Sequence, residues 1–282
     1  TNEGYSYNFS VMLEKHFNFG LDLSGSYTFG HSKSVNDGTS SVAYSNWQYN
    51  YSKDSNSKGE LGYSRFDIPH RISLQASYTT PKYLNGWMST TVGITYNASP
   101  GGRYSLSYDD AKDFNGDGSR GTTLLYIPTD KELEDMNFVD NFDKQGNLIM
   151  SKEESREAFR QWILNDDYAK NHRGQFAERN SNLTKWEHEI NLHVAQDIFY
   201  LKERGSKIQV TFDVINFANM LNKKWGANYY LPYNLTPVTV SGSTNADGIL
   251  VPEYTFKDQS NVLTKNDISS RWHCQVGVRL TF

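Results

Sequence analysis

The stretch Arg271–Phe282, RWHCQVGVRLTF, decides how the fold is read. Its even positions are Trp272, Cys274, Val276, Val278, Leu280 and Phe282, and its odd ones are Arg271, His273, Gln275, Gly277, Arg279 and Thr281. A two-residue period kept over the whole stretch describes a strand with one apolar and one polar face. Chain ends ordinarily fray into polar sequence, so a last strand of this kind, closing on an aromatic residue, points to a solvent that rewards the apolar face.

Composition alone points elsewhere. The chain has 282 residues, 37% of them hydrophobic, and a formal charge of −4; its mean hydropathy is −0.68. No apolar run reaches the length of a transmembrane helix, roughly 18 residues, and no basic, apolar leader opens the chain. The single cysteine, Cys274, excludes an internal disulfide framework. The mild acidity argues against nucleic acid as a partner. These figures suit a soluble globular protein, but 19 Tyr, 15 Phe and 6 Trp are many for so polar a chain.

Working outward from the last strand, the same alternation recurs. Tyr5, Tyr7, Phe9, Val11, Leu13 and Phe17 form one apolar face; Leu21, Leu23, Tyr27 and Phe29 form the next. Ile72, Leu74, Ala76 and Tyr78 follow, then Met88, Val92, Ile94 and Tyr96. After a long excursion come Trp186, His188, Ile190, Leu192, Val194 and Ile198, and then Ile208, Val210, Phe212 and Val214. The connections run short and long in strict turn: 18–20, 30–70, 80–86, 97–185, 200–206 and 215–271. Strands of about ten residues with tight turns at one end and long loops at the other describe an all-β, antiparallel transmembrane barrel of a bacterial outer membrane. A soluble sandwich alternates too, but its connections need not sort by length.

The aromatic residues test this reading independently. With the last strand running inward, Phe29, Tyr96, Trp186 and Trp272 fall at the outer rim, and Phe17, Tyr78 and Phe282 at the inner one. Two aromatic girdles around an aliphatic band are what lipid interfaces select. The polar faces carry Arg71, Glu187, Glu189, Asp197, Asp213, Arg271 and Arg279, which are expected to line an aqueous or plugged lumen. Seven strands leave open edges whose backbone groups lipid cannot satisfy, so the chain is expected to be the C-terminal part of a larger barrel, or to close against another chain. The terminal pattern of Cys274, Val276, Val278, Leu280 and Phe282 is read as an assembly signal as well as a wall, because an alternating strand can add to an open β-edge of the barrel assembly machinery.

The stretches GLDLSGSYTFGHSKSVNDGTSS, ELGYSRFDIPHRI, DFNGDGSRGTTLLYIP, AKNHRGQFAERN and IQVTFDVINFANMLNKKWG resemble the C-terminal half of TonB-dependent outer-membrane transporters, of the Oar-like subgroup. The resemblance spans essentially the whole chain. It implies the last seven strands of a 22-stranded barrel with long extracellular loops, a lumen filled by an N-terminal plug domain, and uptake energised by the TonB system. The function so implied is ligand capture by the loops followed by transport; the alternative is a non-transporting outer-membrane protein of adhesion or assembly that uses the loops for a surface protein partner.

Within the 97–185 insertion, Asp113, Asn115 and Asp117 place oxygen donors at positions one, three and five, with Gly118 at six, as in a calcium loop. Position twelve is Leu124 rather than glutamate, so a calcium ion would need help from groups such as Asp109 and Asp110. Plain Asx-turns account for the same residues without metal. Thr129–Glu132 and Ser151–Glu154 have capping-box spacing, and the second opens a helical pattern of Ala158, Phe159, Trp162 and Ile163 suited to packing a small domain over the barrel mouth. Arg173, Glu178 and Arg179 in HRGQFAERN suit a cluster of ion pairs. HEINLH lacks zinc-protease spacing and lies on a strand, with His188 and His193 on opposite faces. No nucleophile triad, carboxylate pair or phosphate loop stands out, so the chain is not read as an enzyme. SNWQYNY (45–51) and NYYLPYN (228–234) offer aromatic rings suited to sugars or peptides.

Overall fold

The computed structural model describes residues 3–55, 58–110, 113–201, 206–232 and 234–282. Seven long strands run in chain order across one antiparallel sheet: β1 (Gly4–His16), β2 (Leu21–Ser34), β3 (His70–Thr79), β4 (Met88–Pro100), β5 (Trp186–Leu201), β6 (Ser206–Ile215) and β7 (His273–Thr281). A two-residue strand, Gly62–Tyr63, adds beside the end of β2. The sheet is open, with β1 and β7 at its edges.

Register keeps the two faces apart across all seven strands. One row passes through Val11, Tyr27, Ile72, Ala98 and His188; another runs through Ile94, Leu192, Val214 and Cys274. A slip of one residue at any ladder would turn a whole strand's apolar set to the wet side, so one apolar solvent specifies all the registers together. The apolar face is bare: Leu74, Val92, Ile94, Phe212, Val276, Val278 and Leu280 are all exposed. Such a face, continued over seven strands, needs lipid against it.

The short connections are tight. Phe17–Leu21 closes on a bond from the Phe17 N–H to the Leu21 carbonyl at 2.8 Å, and Gly20 has φ +96°, where a Cβ would collide with the Thr79 carbonyl. Leu84, Asn85 and Gly86 all take positive φ in the 80–87 turn. Of the third turn, YLKERGS, residues 202–205 lie outside the described residues. The strands run past the sequence expectation at the long-loop end, β2 to Ser34 and β4 to Pro100, so the great insertion is 101–185 rather than 97–185. The alternation there passes into Ser, His and Ala, residues too small or polar to mark a face.

The molecule's well-buried core lies in the loops, not in the sheet. Strands Leu106–Asp110, Leu235–Thr244 and Leu250–Phe256 form a small sheet, the first parallel to the second. Among the described residues, the long connections before β5 hold the α-helices α1 (Ala43–Gln48), α2 (Asp130–Asp135) and α3 (Lys152–Asn165) and a 3-10 turn at Ala169–Asn171; α4 (Phe217–Leu221) follows β6. Both expected capping boxes are present, Thr129 with Glu132 and Ser151 with Glu154. Helix α3 buries Phe159 and Ile163 completely, against Leu106, Phe138 and Val238, with Trp162 packed at the margin. The long connections after β4 and β6 thus share one core. The connection after β2 docks on it through Ser52, whose N–H donates to the Thr122 carbonyl at 3.1 Å.

Candidate functional site

Where these three connections meet, a cleft of about 290 Å³ opens. The two aromatic-rich stretches converge there: Asn46, Tyr49 and Tyr51 from one side, Leu231, Pro232 and Asn234 from the other. Tyr233 of the second stretch lies outside the described residues. Arg65, Arg103, Arg179 and Asp37, none of which composition or spacing had singled out as a pair, supply the charge.

The cleft is held open by side chains spent on backbone. Arg179, only 6% exposed, donates to the carbonyls of Ser34 and Val35 and to the Asn50 amide oxygen. Burial lowers the affinity of its guanidinium for the proton, against the attraction of Asp37, Glu178 and Glu60. Asp37 is pushed up by burial, but bonds from the Arg65 N–H and the Ser34 and Ser64 hydroxyls, with the Arg179 charge, bring it below its ordinary value. Burial raises the Tyr51 phenol and pushes Tyr104 up to about 12, with Asp166 adding to it. Both phenols therefore remain hydrogen-bond donors at neutral pH. Tyr49, which also lines the cleft, is 65% exposed. Hydrogen-bonded walls, neutral phenols, one carboxylate and an exposed aromatic ring can bind a polar ligand by hydrogen bonds and stacking.

Below the cleft, Asp67 ties the loops to the sheet. Its carboxylate accepts Nε of Arg103 at 2.7 Å, Nη2 at 2.6 Å and the Ser32 N–H. Arg103 also lies over the Tyr63 ring, 3.9 Å from its centroid, and donates to the Asn180 carbonyl. Arg65 and Asp67 both belong to the quoted RFDIPHR stretch, so a signal for them was present without a role attached.

The charged residues of HRGQFAERN find their partners outside the stretch rather than in one another. Arg173 forks onto Asp130 at 2.8 and 3.0 Å, Glu178 pairs with Lys33, and Arg179 takes the carbonyls. Arg173 thus reaches α2, while Glu178 and Arg179 both reach the end of β2 and the segment after it. The Asp213–Gly226 run is also structural. Asn216 sits in the left-handed region at φ 55° and donates to the carbonyls of Gly226 and Ser270 at 2.8 and 3.1 Å. A side chain on Gly226 would collide with that amide.

In the DFNGDG turn, Asp113 accepts the Asp117 and Gly118 N–H groups at 2.9 and 2.7 Å, and Asp117 accepts that of Ser119 at 2.8 Å. Leu124 is in the loop core; Asp109 pairs with Lys257, and Asp110 accepts the Thr123 hydroxyl. Among the described residues, no three His, Cys, Asp or Glu side chains form a group able to hold a metal. These contacts are those of consecutive Asx-turns, in which the Asp113 and Asp117 carboxylates accept N–H groups of the turn itself.

Of the residues read as lumen-lining, all but Arg271 fall on the polar face of the sheet. His193 pairs with Asp213, Asp197 with Lys207 and Gln209, and Glu189 with Asn191. Arg279 stands opposite Gln209, while Arg71, Glu187 and Glu189 border one polar recess. Arg271 lies in the turn just before β7, its N–H on the Ile268 carbonyl. His188 and His193 do face opposite ways. On the apolar face, Phe29 and Trp186 sit at the long-loop end, and Phe17 packs on Phe19 at the other, 5.4 Å between centroids. Cys274, Val276, Val278 and Leu280 line one side of β7, and Phe282 is 95% exposed.

Residues 1–238 match the family model described as an outer membrane beta barrel domain. The chain belongs to that family. No curated protein and no solved structure matches it. As an outer membrane beta barrel domain the protein resides in the bacterial outer membrane, with its apolar sheet face in lipid. Short periplasmic turns and long extracellular loops then put the cleft and the loop core outside the cell.

Proposed function

We propose that this barrel domain belongs to a TonB-dependent transporter or receptor of the Oar-like kind, in which the loops capture a ligand and an energised plug admits it. The observation that carries the reading is the cleft: three connections far apart in sequence pack together and leave a polar, aromatic-lined recess. The polar sheet face, with Arg71, Glu187, Glu189, Asp197 and Asp213, supplies hydrogen-bonding walls suited to a plug or a ligand path. Because lipid cannot satisfy the open edges of β1 and β7, further strands must join them.

The test is uptake of a panel of fluorescent oligosaccharides and peptides by cells carrying the gene, lacking it, or carrying it without a working TonB system. Uptake of at least one probe should fall in both deficient strains. Equal uptake of every probe in all three would overturn the reading. A second reading, adhesion or assembly on a surface protein, draws on apolar side chains left bare near two hairpin tips, Phe142, Leu148 and Ile149 on one and Ile249 and Val251 on the other.

A further inference from the structure

The lipid face of the sheet bears an unexpected set of side chains at its outer end. Tyr27, His70, Trp186, His188 and Tyr96 form a ladder of near-parallel rings. Centroids are 6.1 Å apart for Tyr27–His70, 6.2 Å for His70–Trp186, 6.3 Å for Trp186–His188 and 6.0 Å for Tyr96–His188, with interplanar angles between 13° and 20°. His70 on β3 reaches Trp186 on β5 across β4, because β4 presents Ala98 and Pro100 at that level. Register places all five rings on the same side as Ile72, Ile94 and Ile190, which is the side in lipid.

Two features give the ladder a chemistry beyond an ordinary aromatic girdle. Each imidazole has a phenol on Nδ1: Tyr27 Oη lies 2.8 Å from His70 Nδ1, and Tyr96 Oη lies 2.8 Å from His188 Nδ1. A phenol that donates to Nδ1 holds the ring proton on Nε2 and leaves that N–H for a ligand. Second, within the described residues of β1 to β7 the lipid face carries no carboxylate. Glu14, Asp22, Glu187, Glu189, Asp197 and Asp213 all have the opposite parity, while Lys15, His31, Lys33, His70 and His188 share the lipid side. His31 and Lys33 are already paired from the loops, with Asp67 and Glu178, whereas His70 and His188 are bonded to phenols; N–H donors at headgroup depth complement an anion held at that depth.

We propose that His70 and His188 bind phosphate groups of outer-leaflet lipid headgroups, one phosphate to each Nε2–H, with Trp186 between them as the apolar seat. The phenols orient the imidazoles and select the donor tautomer. Trp186 and the ladder below it bury against the sugar or glycerol portion and the first methylenes of the lipid. The occupant is a lipid rather than free phosphate, because the donors open onto the membrane side of the sheet.

The test uses the full-length protein purified in detergent and native mass spectrometry of retained lipid. The probes are a bis-phosphorylated lipid A, the same lipid with both phosphates removed, and inorganic phosphate in large excess as competitor. Wild type should retain the phosphorylated lipid in preference to the other, and inorganic phosphate should not displace it. The His70→Phe, His188→Phe double variant keeps the rings but loses both donors; its preference should fall by about tenfold or more, the scale of charge-assisted hydrogen bonds. Tyr27→Phe with Tyr96→Phe should move the preference the same way by less, which keeps the test open if the histidine variant fails to assemble. Equal retention of the two lipids by wild type, or an unchanged preference in the assembled double histidine variant, overturns the proposal. So does displacement by inorganic phosphate, which would assign a free-ion site.

Discussion

At the scale of single residues, buried polar groups decide where the loops go. Arg179 is anchored by the carbonyls of Ser34 and Val35 and by Asn50. Methionine there would keep most of the volume and take the guanidinium donor from the Ser34 carbonyl and the Asn50 amide oxygen, while the Val35 carbonyl keeps its bond from the Asn50 amide; each acceptor left dry costs about 1–3 kcal/mol. Arg179→Met should therefore loosen the 35–50 segment while the barrel remains assembled. Limited proteolysis should cut that segment at least several-fold faster, and the heat-modifiable band of the barrel should be unchanged. Equal cleavage rates would mean that water replaces the guanidinium at no cost. Asn216 shows the same logic: an asparagine in the left-handed region is tolerated because its amide donates to the carbonyls of Gly226, after β6, and of Ser270, before β7.

At the scale of elements, α3 connects local sequence to loop packing. Ser151 caps it, with Glu154 closing the box, and Phe159 and Ile163 reach the shared core. Removing the cap by Ser151→Ala should cost about 1 kcal/mol, whereas Phe159→Ala should cost about 3–5 kcal/mol by leaving a cavity. Hydrogen exchange of the α3 amides separates the two. The cap variant should speed exchange mainly in the first turn, and the core variant throughout α3 and in Leu235–Thr244. If both variants sped only the first turn, α3 would not belong to a core shared with the connection after β6. The strands follow a different rule. Their burial comes from a solvent that the chain itself does not supply, so their apolar faces are bare while the loops are closed.

At the scale of the whole molecule, an open sheet in lipid has two edges to satisfy, and β7 is one of them. The proposed role of β7 in assembly rests on its unbroken apolar side, Cys274 to Leu280, and on Phe282 beyond it, where an interfacial aromatic is favoured. Phe17 is an aromatic of the same end of the sheet without that position. Phe282→Ala should reduce the assembled, heat-modifiable barrel in the outer membrane far more than Phe17→Ala does, as read by semi-native gel electrophoresis of membrane fractions. Equal assembly of the two would reduce Phe282 to a girdle residue.

The seven strands, their faces and both capped helices were legible in the sequence, because each is written in a pattern a few residues long: a period of two for strands in lipid, a serine or threonine three places before glutamate for helix starts. The outer rim aromatics followed from the same count along each strand. What only the tertiary structure decided is every partnership across long separations. Ser34 and Arg179 are 145 positions apart, Asp67 and Arg103 belong to different connections, and His70 meets Trp186 only because Ala98 and Pro100 leave room between them. The cleft belongs to this second class, since Tyr49, Arg65, Tyr104 and Asn234 share no local pattern. A repeating face is imposed by the solvent on each strand separately, and so it can be read one strand at a time. A pocket is made by loop packing, where shape and unfilled hydrogen bonds choose among many arrangements of equal local merit.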